Sequence, residues 1–191
     1  LKLKKIIKGG DFVVVALLRG GIVLGKKVSE YFKIPLMPLS VKKIGAPFNP
    51  ELAIGAVTSD GTSYFDKDII RHLSVDEDFI KSSQEIKSKE ALALQKKFPT
   101  TLALRGASKE KISLKNKKVI IVDDGIATGT TAICASIYAK KEKAEAIILA
   151  TPLISKDSLK NIKRYFDDIV SLETADDLTS VSQFYKNFPQ V

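Results

Sequence analysis

Five apolar runs alternate with helical patterns along this chain, and that alternation constrains the fold more than any other feature. The runs are FVVVAL (Phe12 to Leu17), PLMPLSV (Pro35 to Val41), VIIV (Val119 to Val122), AIILA (Ala146 to Ala150) and DIVSL (Asp168 to Leu172). All are short and nearly continuous in apolar residues, the pattern of strands covered on both faces in a parallel sheet. Between them, Ile22 to Phe32, Ala132 to Lys140 and Ser155 to Phe166 have helical spacing, with Ser155 placed to cap the last. The expectation is an α/β fold with a doubly wound, mostly parallel sheet, whose ligands bind beyond the carboxyl ends of the strands.

One region departs from the alternation. Residues 44–113 hold a Gly/Pro turn (GAPFNPE), two short β-like runs (LAIGAV and TSYF) joined at Ser59-Asp60-Gly61, and a long polar helix from about Val75 to Lys97. Ser74, with Glu77 three residues on, is the expected cap of that helix. The region reads as a small inserted hood on the functional rim of a single 1–191 domain. The tail from Thr174 to Val191 has no clear period.

With 191 residues and 45% hydrophobic content, the chain can build one full core. Its net charge of +9 favours anionic partners. The lysines are dispersed and Trp is absent, which argues against nucleic acid. A single Cys134 excludes an internal disulfide and fits a reducing, cytoplasmic setting as a small buried hydrophobe. No apolar run is long enough to span a membrane as a helix.

Chemistry concentrates in two βα junctions. At the first, Arg19-Gly20-Gly21 is followed by Gly25-Lys26-Lys27, which invites a P-loop reading and hence a nucleoside-triphosphate hydrolase. Lys27, however, stands where such a loop needs a hydroxyl for Mg²⁺. What remains is a guanidinium beside two glycine N–H groups, a set suited to an anion. At the second, VIIV runs into Asp123-Asp124-Gly125 and then Ala127-Thr128-Gly129-Thr130-Thr131. Carboxylates accept hydrogen bonds from hydroxyls, whereas a helix start with free N–H groups accepts a phosphate. A ribose 5-phosphate satisfies both. A phosphoacceptor acid pair would not call for the Gly/Thr turn. Lys42 and Lys43 end the second strand, where alternation lets only one of them face the rim cleft.

VIIVDDGIATGTT resembles the phosphoribosyl diphosphate (PRPP) signature of type I phosphoribosyltransferases. LLRGGIVLG, VKKIGAPFNPELAIGAV and the tail VSQFYKNFPQV resemble one branch of that family, with Leu18 in place of a common proline and a shorter N-terminal segment. The resemblance implies an enzyme that uses PRPP and Mg²⁺ to transfer a phosphoribosyl group to a nitrogenous base, and it is compatible with a homodimer. It assigns Asp123 and Asp124 to the ribose hydroxyls, with Mg²⁺ reached indirectly through PRPP and water. Gly125 and Ala127 to Thr131 take the 5-phosphate, Arg19 and Gly20 the diphosphate, and Lys42 or Lys43 the diphosphate or its Mg²⁺. Gly45 to Glu51 would be a mobile closing loop. Hypoxanthine-guanine members carry a third acid where this chain has Ala127, whereas adenine-specific members carry Ala. A regulator that binds PRPP without turnover is the alternative. Among single residues, His72 reads as surface, Tyr185 and Phe188 as packing or base-stacking aromatics, and Arg105-Gly106 as a candidate diphosphate contact.

Overall fold

The computed structural model describes residues 2–98 and 112–176, together with Leu178 and Tyr185. In chain order the elements are α1 (Lys2–Ile6), β1 (Phe12–Leu18), α2 (Gly21–Phe32), β2 (Leu36–Ala46), β3 (Asn49–Thr58), β4 (Ser63–Phe65), α3 (Lys67–His72) and α4 (Glu77–Lys97). After the undescribed stretch come β5 (Lys118–Val122), α5 (Thr130–Lys141), β6 (Ala146–Ser155), α6 (Lys156–Ile162), a 3-10 turn (Lys163–Tyr165) and β7 (Asp168–Ala175). The seven strands form one sheet in the order β4-β3-β2-β1-β5-β6-β7. β2, β1, β5, β6 and β7 pair in parallel, and β3 and β4 add on antiparallel.

β1 lies at the centre and every residue in it is buried. Its odd-numbered members, Val13, Val15 and Leu17, join Ile121 and Leu149 under α5, where Ala132, Ile133, Ala135 and Ala139 pack. The even members, Phe12, Val14 and Ala16, join Ile120, Val122 and Ile148 under Ile22, Leu24 and Val28 of α2 and under α1. Alternation along one continuous apolar strand therefore supplies two cores. The inserted region builds a third core from Ile44, Ala46, Ile54 and Val57 with Ile69, Ile70 and Phe79.

Polar contacts help bind this region to the rest of the domain. The first half of β2 pairs with β1 on one side only, leaving its other edge open, because β3 joins β2 from Val41 onward. Gln95 of α4 covers that edge as a strand would: its Oε1 accepts from Ser40 N at 2.8 Å and its Nε2 donates to Pro38 O at 3.1 Å. Asp60, in the predicted Ser59-Asp60-Gly61 turn, accepts from Lys141 Nζ of α5 at 2.8 Å. Burial raises the Asp60 pKa, but the bonds from Lys141, Thr58 and Thr62 outweigh it and hold the carboxyl at about 2.

Several expected boundaries shift. Asp76, not Ser74, caps α4: its carboxylate accepts from the N–H groups of Asp78 and Phe79, while Ser74 sits at φ 49 in the preceding turn. The Ser155–Phe166 helix ends at Ile162 and tightens into the 3-10 turn. Ser155 does cap it, accepting from Ser158 N at 3.0 Å. Gly45 to Glu51, expected as a mobile closing loop, is the tip of the β2–β3 hairpin. Lys43 Nζ lies 3.0 Å from Glu51 Oε2 across that tip, and Phe48 at its end is fully exposed. The short helices α1 and α3 have no counterpart in the sequence pattern. Cys134 is buried as expected, its Sγ 3.4 Å from the carbonyls of Ala56 and Thr62, with burial pushing the thiol up to about 12. No helix among the described residues is long and apolar enough to cross a membrane.

Candidate functional site at the carboxyl rim of the sheet

Parallel pairing of β1 with β5 brings their carboxyl ends together, and with them the two junctions that the sequence singles out. The turn from β1 to α2 is pressed against the end of β5. A Cβ at Gly20 would lie 1.7 Å from Asp124 Oδ2, and one at Gly21 would lie 2.5 Å from Val122 O. Only glycine lets the backbone come so close. Arg19, joined to Leu18 by a cis peptide, is exposed, and its guanidinium has no partner among the described residues.

Asp123 and Asp124 stand just past β5. The ladder runs one step further through Asp123 N to Ala150 O at 3.3 Å. Asp123 Oδ1 then accepts from Asp124 N at 3.0 Å, so the first acid braces the second. Burial, and next the charge of Asp124, raise the Asp123 pKa well above the ordinary carboxylate range. Two adjacent, partly buried acids in this position favour a ligand that donates hydroxyls or brings a cation.

Gly125 leads into Ile126, which forms a parallel bridge with Ile154 of β6. Ser155 Oγ donates to the Ala127 carbonyl at 3.1 Å, and Ser158 Oγ donates to the same oxygen. The loop is thus anchored from α6. Gly129 has φ 80, and a Cβ there would meet Ile162 Cγ2 at 2.4 Å. It opens α5 without a side-chain cap, which leaves the N–H groups of Thr130, Thr131 and Ala132 pointing out of the helix start. The exposed Thr128 hydroxyl lies 3.1 Å from that of Thr130. Free amides, the positive end of a helix and two hydroxyls together suit an anion such as phosphate.

The two lysines differ in their partners. Lys43 is occupied by Glu51, whereas Lys42, two residues beyond Ser40 and hence beyond the Leu18 end of β1, makes no ion pair among the described residues. Of the remaining candidates, His72 is exposed at the end of α3, and Arg105-Gly106 and Phe188 lie outside the described residues. Tyr185 reaches the site: its Oη donates to Asp124 O at 2.6 Å. That contact spans 61 residues, as the Ser155 and Ser158 anchors span 28 and 31, and no periodicity in the sequence signals any of them. A cleft of about 510 Å³ along α2, with Leu24, Val28, Tyr31 and Pro152 in its wall, is apolar and contains none of these site residues.

The fold and rim define a doubly wound α/β domain that sets paired acids beside a phosphate cradle and an Arg-Gly-Gly turn. The family model for the phosphoribosyl transferase domain matches residues 2–188, and the chain belongs to that family. It is 34% identical over 184 residues to "Putative phosphoribosyl transferase Rv0571c" of Mycobacterium tuberculosis, a match covering 96% of this chain and 40% of that protein. The chain thus spans about two fifths of the length of the curated relatives it matches. Among solved structures, TT1426 from Thermus thermophilus superposes with a TM-score of 0.76 at 25% identity, covering all of this chain and 86% of that one.

Proposed function

We propose that the chain is the catalytic domain of a phosphoribosyltransferase that takes PRPP and a nitrogenous base, with Mg²⁺, and releases diphosphate. The observation that carries this reading is the close packing of Gly20 and Gly21 on the end of β5. It seats the Arg19-Gly20-Gly21 turn against Asp124, and the chain runs on from there through Gly125 to the uncapped start of α5, an order that supports one ligand spanning all three.

In this reading the 5-phosphate docks on the amides of α5 with Thr128, Thr130 and Thr131, and the ribose 2′ and 3′ hydroxyls donate to Asp123 and Asp124. The diphosphate lies on Gly20 and Gly21 between Arg19 and Lys42. As the anomeric C–O bond breaks, its electron pair leaves with the diphosphate, and the acceptor nitrogen forms the new bond. Charge thus grows on the diphosphate, where the two cations stabilise it, while the acids tolerate the cationic ribose. Neither a covalent nucleophile nor a catalytic triad is required.

The donor set suits Mg²⁺ held through the substrate. No cluster of three metal-ligating side chains occurs among the described residues, and Mg²⁺ is commonly held by one or two carboxylates plus phosphate oxygens. Asp123 or Asp124 would reach it through PRPP and water, and when bound it neutralises phosphate charge. The test is diphosphate release from PRPP across a panel of nitrogenous bases. Release that needs both a base and Mg²⁺ is expected. Tight PRPP binding with no release for any base would instead make the domain a sensor.

A further inference from the structure

Three parts of the chain converge on Asp124. Gly20 packs on its carboxylate, Asp123 accepts from its N–H, and Tyr185 donates to its carbonyl. The carbonyl contact is the unusual one. It lies beyond the last ladder bond of β5, at the peptide joining Asp124 to Gly125, where a glycine leaves the backbone free to rotate. Rotation there would redirect the chain from Gly125 onward and so shift the phosphate cradle relative to the Asp124 carboxylate, which stays against Gly20. A donor on this oxygen fixes the peptide plane. Burial, followed by the charges of Asp124 and Asp123, raises the pKa of the phenol, so it stays protonated and donating at neutral pH.

We propose that Tyr185 is a positioning residue for PRPP: through the Asp124 carbonyl it sets the strand-to-loop junction that carries the ribose-binding acids. Tyr185 thereby contributes to recognition of the phosphoribosyl donor. This rests on the phosphoribosyltransferase reading above. It goes beyond that reading by giving a residue outside the signature loop a share in donor affinity.

The test uses the full chain and measures PRPP affinity by calorimetry with Mg²⁺, alongside the melting midpoint of the free protein. Tyr185→Phe keeps the ring and removes the donor. It is expected to raise the PRPP Kd by about three- to tenfold, the scale of one lost hydrogen bond, with kcat at saturating PRPP and the acceptor KM both unchanged. Tyr185→Trp, which restores an N–H donor, is expected to recover part of the affinity, and it supplies the comparison if the Phe variant folds poorly. A purely structural role would lower the melting midpoint and leave the Kd alone. An unchanged Kd in both variants, or a change confined to the acceptor KM, overturns the proposal. Wild-type protein that fails to bind PRPP would retire the phosphoribosyltransferase reading itself, a separate result.

Discussion

Hypoxanthine and guanine are expected to be poor acceptors, slower than the preferred base by about 10² to 10⁴, the usual worth of general base assistance. Relatives that use 6-oxopurines resemble this chain through the signature but carry an acid where Ala127 stands. Here that position offers only a methyl group. Its carbonyl is already engaged by the hydroxyls of Ser155 and Ser158, so it has little freedom to accept a purine proton instead. We propose on this ground that the preferred acceptor is adenine or a non-purine base. Steady-state kinetics with both oxopurines check this, and a kcat/KM above about 10⁴ M⁻¹s⁻¹, the low end for ordinary enzymes, would contradict it.

Arg19→Ala is expected to lower turnover by about 10² to 10³, the scale of losing one donor aimed at developing charge. The side chain is exposed and has no partner among the described residues, so the substitution removes no folded-state contact seen there. The melting midpoint should stay nearly constant while kcat falls. In the proposed arrangement Lys42 still faces the leaving group in this variant, and the expected loss is bounded for that reason. A fall below threefold would return Arg19 to an ordinary turn residue.

Much of this site is legible in the sequence because its chemistry is local. VIIV followed by Asp123, Asp124 and a Gly/Thr turn specifies a strand, an acid pair and an uncapped helix start, and the structure builds each in that order. Alternation predicts that the two lysines face opposite sides of β2. Which of them is engaged depends on Glu51 across a hairpin, and a linear reading cannot see that pairing. The same limit hides Gln95 on the edge of β2, Tyr185 on Asp124 and the two serines on Ala127, since tertiary packing alone creates those bonds. The α4 cap differs from expectation for another reason: Ser74 and Asp76 are both good capping residues, and backbone conformation makes the choice. The Gly45–Glu51 stretch misleads through composition. Two prolines and a glycine suggest an irregular loop, yet the strands pair almost to the tip.

The most direct test of the account is the thermal shift produced by PRPP with Mg²⁺ in the wild type and in Asp123→Asn and Asp124→Asn. Ligand at about 100 times its Kd adds roughly 2.7 kcal/mol, which for a chain of this size raises the melting midpoint by about 5 to 10 °C. The shift should shrink in each variant, because an amide replaces an acceptor oxygen with a donor facing the ribose hydroxyls. No shift in the wild type at millimolar PRPP, or equal shifts in all three proteins, would contradict the assignment of these carboxylates to PRPP.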